Sequence, residues 1–207
     1  MHTAFIVAAV VAALVNWSTR VKPNRSLENI SKPLTTLMVI GIAVTSGASA
    51  GQVAVAAVAL TLCLIGDIAL LSSIDKFVIG LASFLLGHLA FIVLFVMYGL
   101  HSTTLAGIAI ILASLLVITI GRVIVAGATQ ADPALRTPVL AYLAIISAMG
   151  TVGWATGRWW VVAGSALFVG SDAVLGWGRF VRDKGWMSLV VMVTYHAAIA
   201  SLALSLR

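Results

Sequence analysis

Long apolar runs, separated by short polar or basic segments, dominate the pattern along this chain. A helix needs about 20 mostly apolar residues to cross a bilayer, and about 17 are tolerated. Eight runs approach or exceed this length. The predicted spans cover about residues 3–17, 33–49, 51–73, 77–99, 104–121, 138–157, 160–180 and 186–206. The pattern therefore predicts an all-α integral membrane bundle of eight transmembrane helices, forming a single domain over residues 1–207.

The starts of three predicted helices have local explanations. Pro33 and Pro138 each open a span, and proline suits the first turn of a helix because an N–H there would lack a partner anyway. The first run, up to Trp17, has the length of a signal peptide but lacks a basic leader and a clean cleavage site. We therefore expect this run to be the first transmembrane helix.

Composition agrees with a bilayer environment and excludes several other classes of protein. The 207 residues are 62% hydrophobic and 9% charged, with a mean hydropathy of +1.16, whereas soluble domains are about 25% charged. The net charge of +6 comes from basic residues between apolar runs, so we expect no nucleic-acid partner. Cys63 is the only cysteine, which excludes an intrachain disulfide and a thiolate metal cluster.

The positions of Lys and Arg predict the orientation in the membrane. Ten of the 12 lie in the first, third, fifth and seventh predicted loops, and cytoplasmic loops carry an excess of these residues. Only Arg158 and Arg207 lie on the other side. We therefore expect a multi-pass protein of the cell membrane, with its odd-numbered loops in the cytoplasm and both termini outside.

Two aspartates, Asp67 and Asp172, are the only acids predicted to lie within spans. Each is unfavourable by about 2.5–3.5 kcal/mol at the centre of a membrane helix. Acids that persist there usually face a bundle interior or a wet cavity and mark a functional site. A structural alternative is that each aspartate only accepts hydrogen bonds from Ser or Thr, or pairs with Lys32.

Other polar residues lie in or at the start of the predicted spans, some at the cytoplasmic end and some nearer mid-membrane, and are candidates for a supporting or substrate-binding role. These candidates are Lys32, His88, Tyr142, Ser171, Tyr195 and His196. Each also has a structural explanation, because a lysine can extend to the membrane surface and a buried histidine or tyrosine can simply be hydrogen-bonded.

Three pairs of positions suggest an internal repeat. Pro33 and Pro138, and Asp67 and Asp172, share an offset of 105 residues, and His88 and His196 differ by 108. Duplication of a unit of four spans would give two parallel four-helix pseudo-repeats. Chance coincidence in an apolar sequence is the alternative.

Several fragments together resemble the YhhN-like lysoplasmalogenase family. The fragments are "KPLTTL" at 32–37, "GDIALL" at 66–71, "FVIGLASFLLGHLAFI" at 77–92, "PVLAYLAIISAMG" at 138–150 and "GSALFVGSDAVLGWGRF" at 164–180. Their order and spacing fit the family over nearly the whole chain from residue 30 onward.

This resemblance implies a membrane hydrolase of eight helices that cleaves the vinyl ether bond of a lysophospholipid. The products would be a fatty aldehyde and a glycerophospho-head group. The functional aspartates of the family match Asp67 and Asp172, and its Lys-Pro, Gly-His and Tyr positions match Lys32, His88, Tyr142 and Tyr195. The chain departs from the family in "TYHAAIASL", where His196 and Ile199 stand in place of tyrosine and glutamine, and this departure bears on substrate range.

The chemistry of vinyl ethers agrees with a pair of carboxyl groups. Hydrolysis begins when a proton is delivered to carbon, which gives an oxocarbenium ion that water captures. A protonated acid and an ionised carboxylate are thus needed, as in glycoside hydrolysis. Burial favours the protonated form of a carboxyl group, and neighbouring carboxyl groups rarely ionise together. We expect Asp67 and Asp172 to form this catalytic pair, with either one as the acid and with no metal or other cofactor.

Two alternatives use the same residues differently. His88, His196, Asp67 and Asp172 have the ligand chemistry of a zinc site. Paired Asp and His residues in spans also form proton relays, so a small proton-coupled transporter or a lipid-binding membrane protein is the second interpretation. We expect a lysophospholipid substrate and a surrounding bilayer as the partners, and the sequence does not determine the oligomeric state.

Overall fold

The computed structural model describes residues 1–207 and contains nine α-helices and no strand. They are α1 (His2–Val21), α2 (Arg25–Val44), α3 (Ala50–Ala69), α4 (Phe77–Tyr98), α5 (Thr103–Leu116), α6 (Arg122–Ala131), α7 (Arg136–Ala155), α8 (Trp159–Phe180) and α9 (Met187–Leu204). A π-helical turn at Val117–Gly121 joins α5 to α6, so these two helices form one span, Thr103–Ala131. Eight spans are long and apolar enough to cross a membrane, and the all-α prediction is confirmed.

Side-chain caps and glycines define the helix ends. Asn24, Ser49 and Ser102 each accept a hydrogen bond from a backbone N–H in the first turn of α2, α3 and α5. Gly99 and Gly157 follow α4 and α7 with φ of 86° and 69°, a region that glycine enters without steric cost. Short connections therefore join successive antiparallel spans.

The second span begins earlier than predicted. The Asn24 cap starts α2 at Arg25, so Pro33 lies in the interior of the helix and the prediction that it opens the helix is wrong. Glu28 also lies within α2, in its first turn, and is buried. It was predicted to lie in a loop. Pro138 is in the first turn of α7, as predicted.

The fifth span is longer than predicted. It continues ten residues beyond position 121 because the π-helical turn keeps the backbone hydrogen-bonded into α6. Arg122, predicted to lie in a loop, is the first residue of α6. This span is also the least buried of the eight, so most of its surface is available to lipid.

Four of the helix–helix contacts have the arrangement that a four-span repeat predicts. Within each half, the third and fourth spans form a close pair, α3 with α4 and α8 with α9. Between the halves, α2 packs on α9 and α7 packs on α4. In both contacts the second span of one half meets the fourth span of the other. The core holds large buried side chains such as Phe91, Phe95 and Phe168, while many Leu, Ile and Val side chains face outward.

Connections 22–24, 70–76, 132–135 and 181–186 lie at one end of the bundle, which we call the basic end. The connections 45–49, 99–102 and 156–158 lie at the opposite end. Because all of the acids except Asp172 lie in or near the basic end, the polar chemistry of the chain is concentrated there.

Candidate active site

Asp67 lies at the basic end of α3 and accepts hydrogen bonds from two other helices. Oγ1 of Thr36 donates to Asp67 Oδ2 at 2.5 Å, and the hydroxyl of Tyr195 donates to the same oxygen at 2.8 Å. Nζ of Lys32 is 3.6 Å from Oδ1 and donates to the backbone carbonyl of Asp67 at 3.2 Å. Only 1% of Asp67 is exposed. The buried carboxyl group is therefore surrounded by one cation and two hydroxyl donors.

The sequence of α2 explains two of these contacts. Lys32 and Thr36 are four residues apart, so they lie on the same face of the helix. Both are almost fully buried against α3. Lys32 therefore does not extend to the membrane surface.

Asp172 lies in α8 and has a second set of partners. The hydroxyl of Tyr142 donates to Asp172 Oδ2. Nε2 of His88 is 3.0 Å from the Tyr142 hydroxyl oxygen and 3.4 Å from the same Asp172 oxygen. Because the Tyr142 proton is directed at Asp172, His88 is the donor to Tyr142. Both contacts of Asp172 use Oδ2, and 12% of its side chain is exposed, so Oδ1 is available to a neighbouring cavity.

The two carboxyl clusters contain residues at matching positions of the predicted repeat. Thr36 and Tyr142, Asp67 and Asp172, and His88 and Tyr195 are separated by 105 to 107 residues. In each cluster, one partner comes from the second span of the same half and the other from the fourth span of the opposite half. His88 thus corresponds in position to Tyr195, and the predicted correspondence of His88 with His196 is not seen at the site.

Aromatic rings pack between His88 and Tyr195, one partner from each cluster. The Phe168 ring lies 4.6 Å from the His88 ring and 5.5 Å from the Tyr195 ring, measured between centroids. The Phe84 ring contacts Tyr195 edge-on at 5.7 Å. These contacts restrict the rotamers of His88 and Tyr195 and hold both polar groups toward the carboxyl groups.

A polar cavity of about 300 Å³ extends inward from the basic end and is lined by both aspartates. Its other charged or hydroxyl-bearing walls are Arg20, Glu28, Lys32, Ser171, Arg179, Asp183, Ser188 and Tyr195. Arg20 donates to Glu28 at 2.9 Å, which fixes the guanidinium at the cavity wall. The two acids within spans therefore line the same cavity.

A second, apolar cavity adjoins the polar one. Leu70, Phe84, Asp172 and Leu175 line both cavities, and Tyr142 lines the apolar one. Asp172 therefore lies at a boundary between a charged compartment and a hydrocarbon-lined compartment. An amphipathic molecule can place its polar and apolar parts on the two sides of this carboxyl group.

Two predicted supporting residues do not contact either carboxyl group. Ser171 lines the polar cavity, but its hydroxyl donates to the Val191 carbonyl and ties α8 to α9. His196 accepts a hydrogen bond from the indole of Trp17 at 3.1 Å and lies on the α1 side of α9. Both residues therefore help to join helices.

Three residues of the site were not singled out from the sequence. Thr36 contacts Asp67 directly, and its spacing from Lys32 was the signal that could have identified it. Arg20 and Glu28 line the polar cavity but were assigned to a loop. No three of the His, Cys, Asp and Glu side chains are grouped so that they could hold a metal ion, so the four residues of the zinc alternative do not form one site.

Comparisons with known proteins place the chain among membrane proteins of one family. The model of the YhhN family matches residues 27–206. The chain is 33% identical over 155 residues to a protein of Rattus norvegicus named lysoplasmalogenase TMEM86B, covering 71% of this chain and 59% of that protein. It is 30% identical over 137 residues to the Homo sapiens protein of the same name, covering 62% of this chain and 53% of that protein. The match thus spans less than two thirds of either relative, and no solved structure matches the chain.

Proposed function

The chain belongs to the YhhN family of multi-pass membrane proteins, and we propose that it hydrolyses the vinyl ether bond of a lysophospholipid by acid catalysis. The names of the two relatives support a lysoplasmalogenase-like activity. The observation that carries the proposal is that Asp67 and Asp172 line one polar cavity, with Asp172 also lining an apolar one.

The surroundings of the two carboxyl groups suggest different roles. Asp67 faces the Lys32 ammonium and accepts from two hydroxyl groups, and these contacts favour its ionised form against the opposing effect of its burial. Asp172 has no lysine or arginine partner, and its Oδ1 is free of the Tyr142 contact. We assign Asp172 as the acid that delivers the proton and Asp67 as the carboxylate that stabilises the cation and activates water.

The proposed reaction proceeds in two stages. Asp172 transfers a proton to the carbon of the vinyl group distal to oxygen, which leaves an oxocarbenium ion next to Asp67. Water adds to this ion and gives up a proton to Asp67, which forms a hemiacetal. The hemiacetal then breaks its bond to the glycerol oxygen, which receives the proton from Asp67. The hydroxyl proton of the hemiacetal returns to Asp172 as the aldehyde forms, so both acids regain their starting states.

The contacts around each acid support these steps. The His88–Tyr142 pair fixes Oδ2 of Asp172 and leaves Oδ1 toward the substrate. Thr36 and Tyr195 fix Oδ2 of Asp67. Preorganised donors of this kind lower the cost of charge development in a site from which most water is excluded.

The direct test is aldehyde release by purified Asp67→Asn and Asp172→Asn variants with a lysoplasmalogen substrate. We expect each change to lower turnover at least about a hundredfold, because general acid–base catalysis contributes about 10²–10⁴ in rate. Asp132→Asn is the matched control, since Asp132 is exposed and outside both cavities. Turnover near the unmodified level in either folded site variant would remove the pair from the mechanism. Proton-coupled uptake into vesicles without aldehyde release would favour the transporter instead.

A further inference from the structure

Two apolar cavities follow one another along α5, α7 and α8. The first is the apolar cavity that contains Asp172, and it ends at Leu116, Ser147 and Val169. A second apolar cavity begins at the same three residues and reaches Trp154. Together they form a path from Asp172 toward the opposite end of the bundle, which we call the chain cleft.

The chain cleft is long, narrow and poor in polar groups. The stretch of α7 from Tyr142 to Trp154 lines it from end to end and rises about 18 Å, at 1.5 Å per residue. Beyond Tyr142 and Asp172, the polar side chains along its walls are those of Ser147 and Thr151. The path therefore offers hydrocarbon contact throughout, with its one carboxyl group at the end next to the polar cavity.

We propose that the chain cleft binds the single hydrocarbon chain of the lipid substrate, and that the side chains at positions 147 and 170 limit the length of that chain. This inference rests on the proposed function. We infer this occupant because the cleft is continuous with the site. A lipid whose vinyl ether bond lies at Asp172 has its head group in the polar cavity, beside Arg20, Lys32 and Arg179. The cleft suits a lipid with one chain, because a single run of apolar walls continues from Asp172 past Ser147 to Trp154.

Gly170 is a position from which the second cavity can be filled. It lines the second cavity, and a Cβ built there meets no atom within 4 Å. A larger side chain can therefore enter the cleft without displacing packed atoms. Ser147 lines both cavities, so a larger side chain there narrows the junction between them.

Gly107 provides a matched control. It lies within α5, and a Cβ built there also meets no atom within 4 Å, but it lines neither cavity. Gly107→Phe thus makes the same change, from a helical glycine to a large residue, at a position outside the chain cleft.

The test measures the binding of saturated alkyl ether lysophospholipids, which lack the double bond that accepts the proton and are not hydrolysed. Octyl and hexadecyl forms are titrated into purified protein in detergent, with Gly170→Phe, Ser147→Phe and Gly107→Phe compared with the unmodified chain. We expect Gly170→Phe to weaken hexadecyl binding about tenfold, because the ring would take up space in the second cavity that a hexadecyl chain needs and an octyl chain does not. Octyl binding should remain unchanged, and Gly107→Phe should change neither.

Ser147→Phe should weaken hexadecyl binding at least as strongly as Gly170→Phe, since it narrows the junction through which the chain passes from one cavity to the next. Gly170→Leu replaces Gly170→Phe if the larger residue impairs folding. Equal effects on octyl and hexadecyl binding, or an equal effect of the Gly107 variant, would overturn the inference.

The aldehyde assay separates this inference from the proposed function. An unmodified protein that binds hexadecyl ether lipid in the chain cleft but releases no aldehyde contradicts the hydrolase and leaves the cleft intact. An unmodified protein that releases aldehyde, with no change in chain-length preference in the 147 and 170 variants, contradicts the cleft alone.

Discussion

The hydroxyl of Tyr195 donates to the carboxyl group of Asp67 at 2.8 Å across 128 residues of chain. The bond joins the last span to the third, so one half of the bundle completes the acid cluster of the other. The reciprocal contact is made by His88 of α4 with Asp172 of α8, at 3.4 Å. Neither half alone therefore contains a complete cluster.

The chain has three tyrosines, which allow a controlled test of these contacts. Tyr195→Phe removes a donor to Asp67, and Tyr142→Phe removes the donor to Asp172. Hydrogen bonds to charged groups contribute about 1.5–3 kcal/mol, so each change should lower kcat about ten- to a hundredfold. Aldehyde release at saturating lysoplasmalogen, with KM measured separately, is the readout.

Tyr98→Phe removes the same hydroxyl from the opposite end of the bundle, where it pairs with Ser205. It should leave kcat unchanged. A comparable loss of kcat in all three variants would mean that the tyrosines act only through general stability.

The buried pair of Lys32 and Asp67 predicts a double-mutant effect on stability. Lys32→Met leaves an acid that is 1% exposed without its cation, and loss of one partner of a buried pair costs about 3–5 kcal/mol. Adding Asp67→Asn removes the remaining charge, so the double variant should be less destabilised than the two single changes together. Thermal unfolding in detergent measures this coupling. Lys76→Met, at an exposed position, should be close to neutral, and strict additivity at 32 and 67 would contradict a direct pair.

The position before Asp67 makes a close contact that predicts a packing effect. A Cβ on Gly66 would lie 2.5 Å from the ring of Phe84, which lines both cavities and contacts Tyr195. Gly66→Ala should therefore destabilise the protein by about 1–3 kcal/mol and lower turnover, because the ring must move. Gly107→Ala has no neighbour in reach and should be neutral or slightly stabilising, because alanine favours the helix. Melting temperatures of the two variants compare the effects, and equal values would show that Phe84 moves freely.

Much of this architecture could be predicted from hydrophobic runs alone, because a bilayer imposes the length and apolar character of each span. The same environment made Asp67 and Asp172 conspicuous as candidates. The predicted start of the second span is too late because Pro33 is a strong signal for a helix start. The actual start is set by the Asn24 cap, which lies in a polar segment outside the apolar run. The predicted fifth span ends before Arg122 because the charged residue interrupts the apolar run. Nothing in the sequence indicates that a π-helical turn carries the helix past it.

The partners of the two acids were harder to predict, since they depend on which helices pack together. Thr36 could have been found from its spacing to Lys32, whereas the pairing of Tyr195 with Asp67 needed the contact between α2 and α9. His196 resembles a site residue in sequence but contacts Trp17 on the other face of its helix. Tyr195 and His196 are thus adjacent in α9, yet Tyr195 contacts the site and His196 contacts α1.

The distribution of basic residues predicts the orientation of the bundle, which single-cysteine labelling can test. Cys63 is buried and is the only cysteine, so Cys63→Ala provides a background without a reactive thiol. Ser73→Cys places a thiol at the exposed basic end and His101→Cys places one at the opposite end, without altering any Lys or Arg. If the basic end faces the cytoplasm, an impermeant maleimide should label position 101 in intact cells and position 73 only after the membrane is opened. The background variant controls for labelling elsewhere, and the reverse pattern would place the polar cavity and both acids on the outer side.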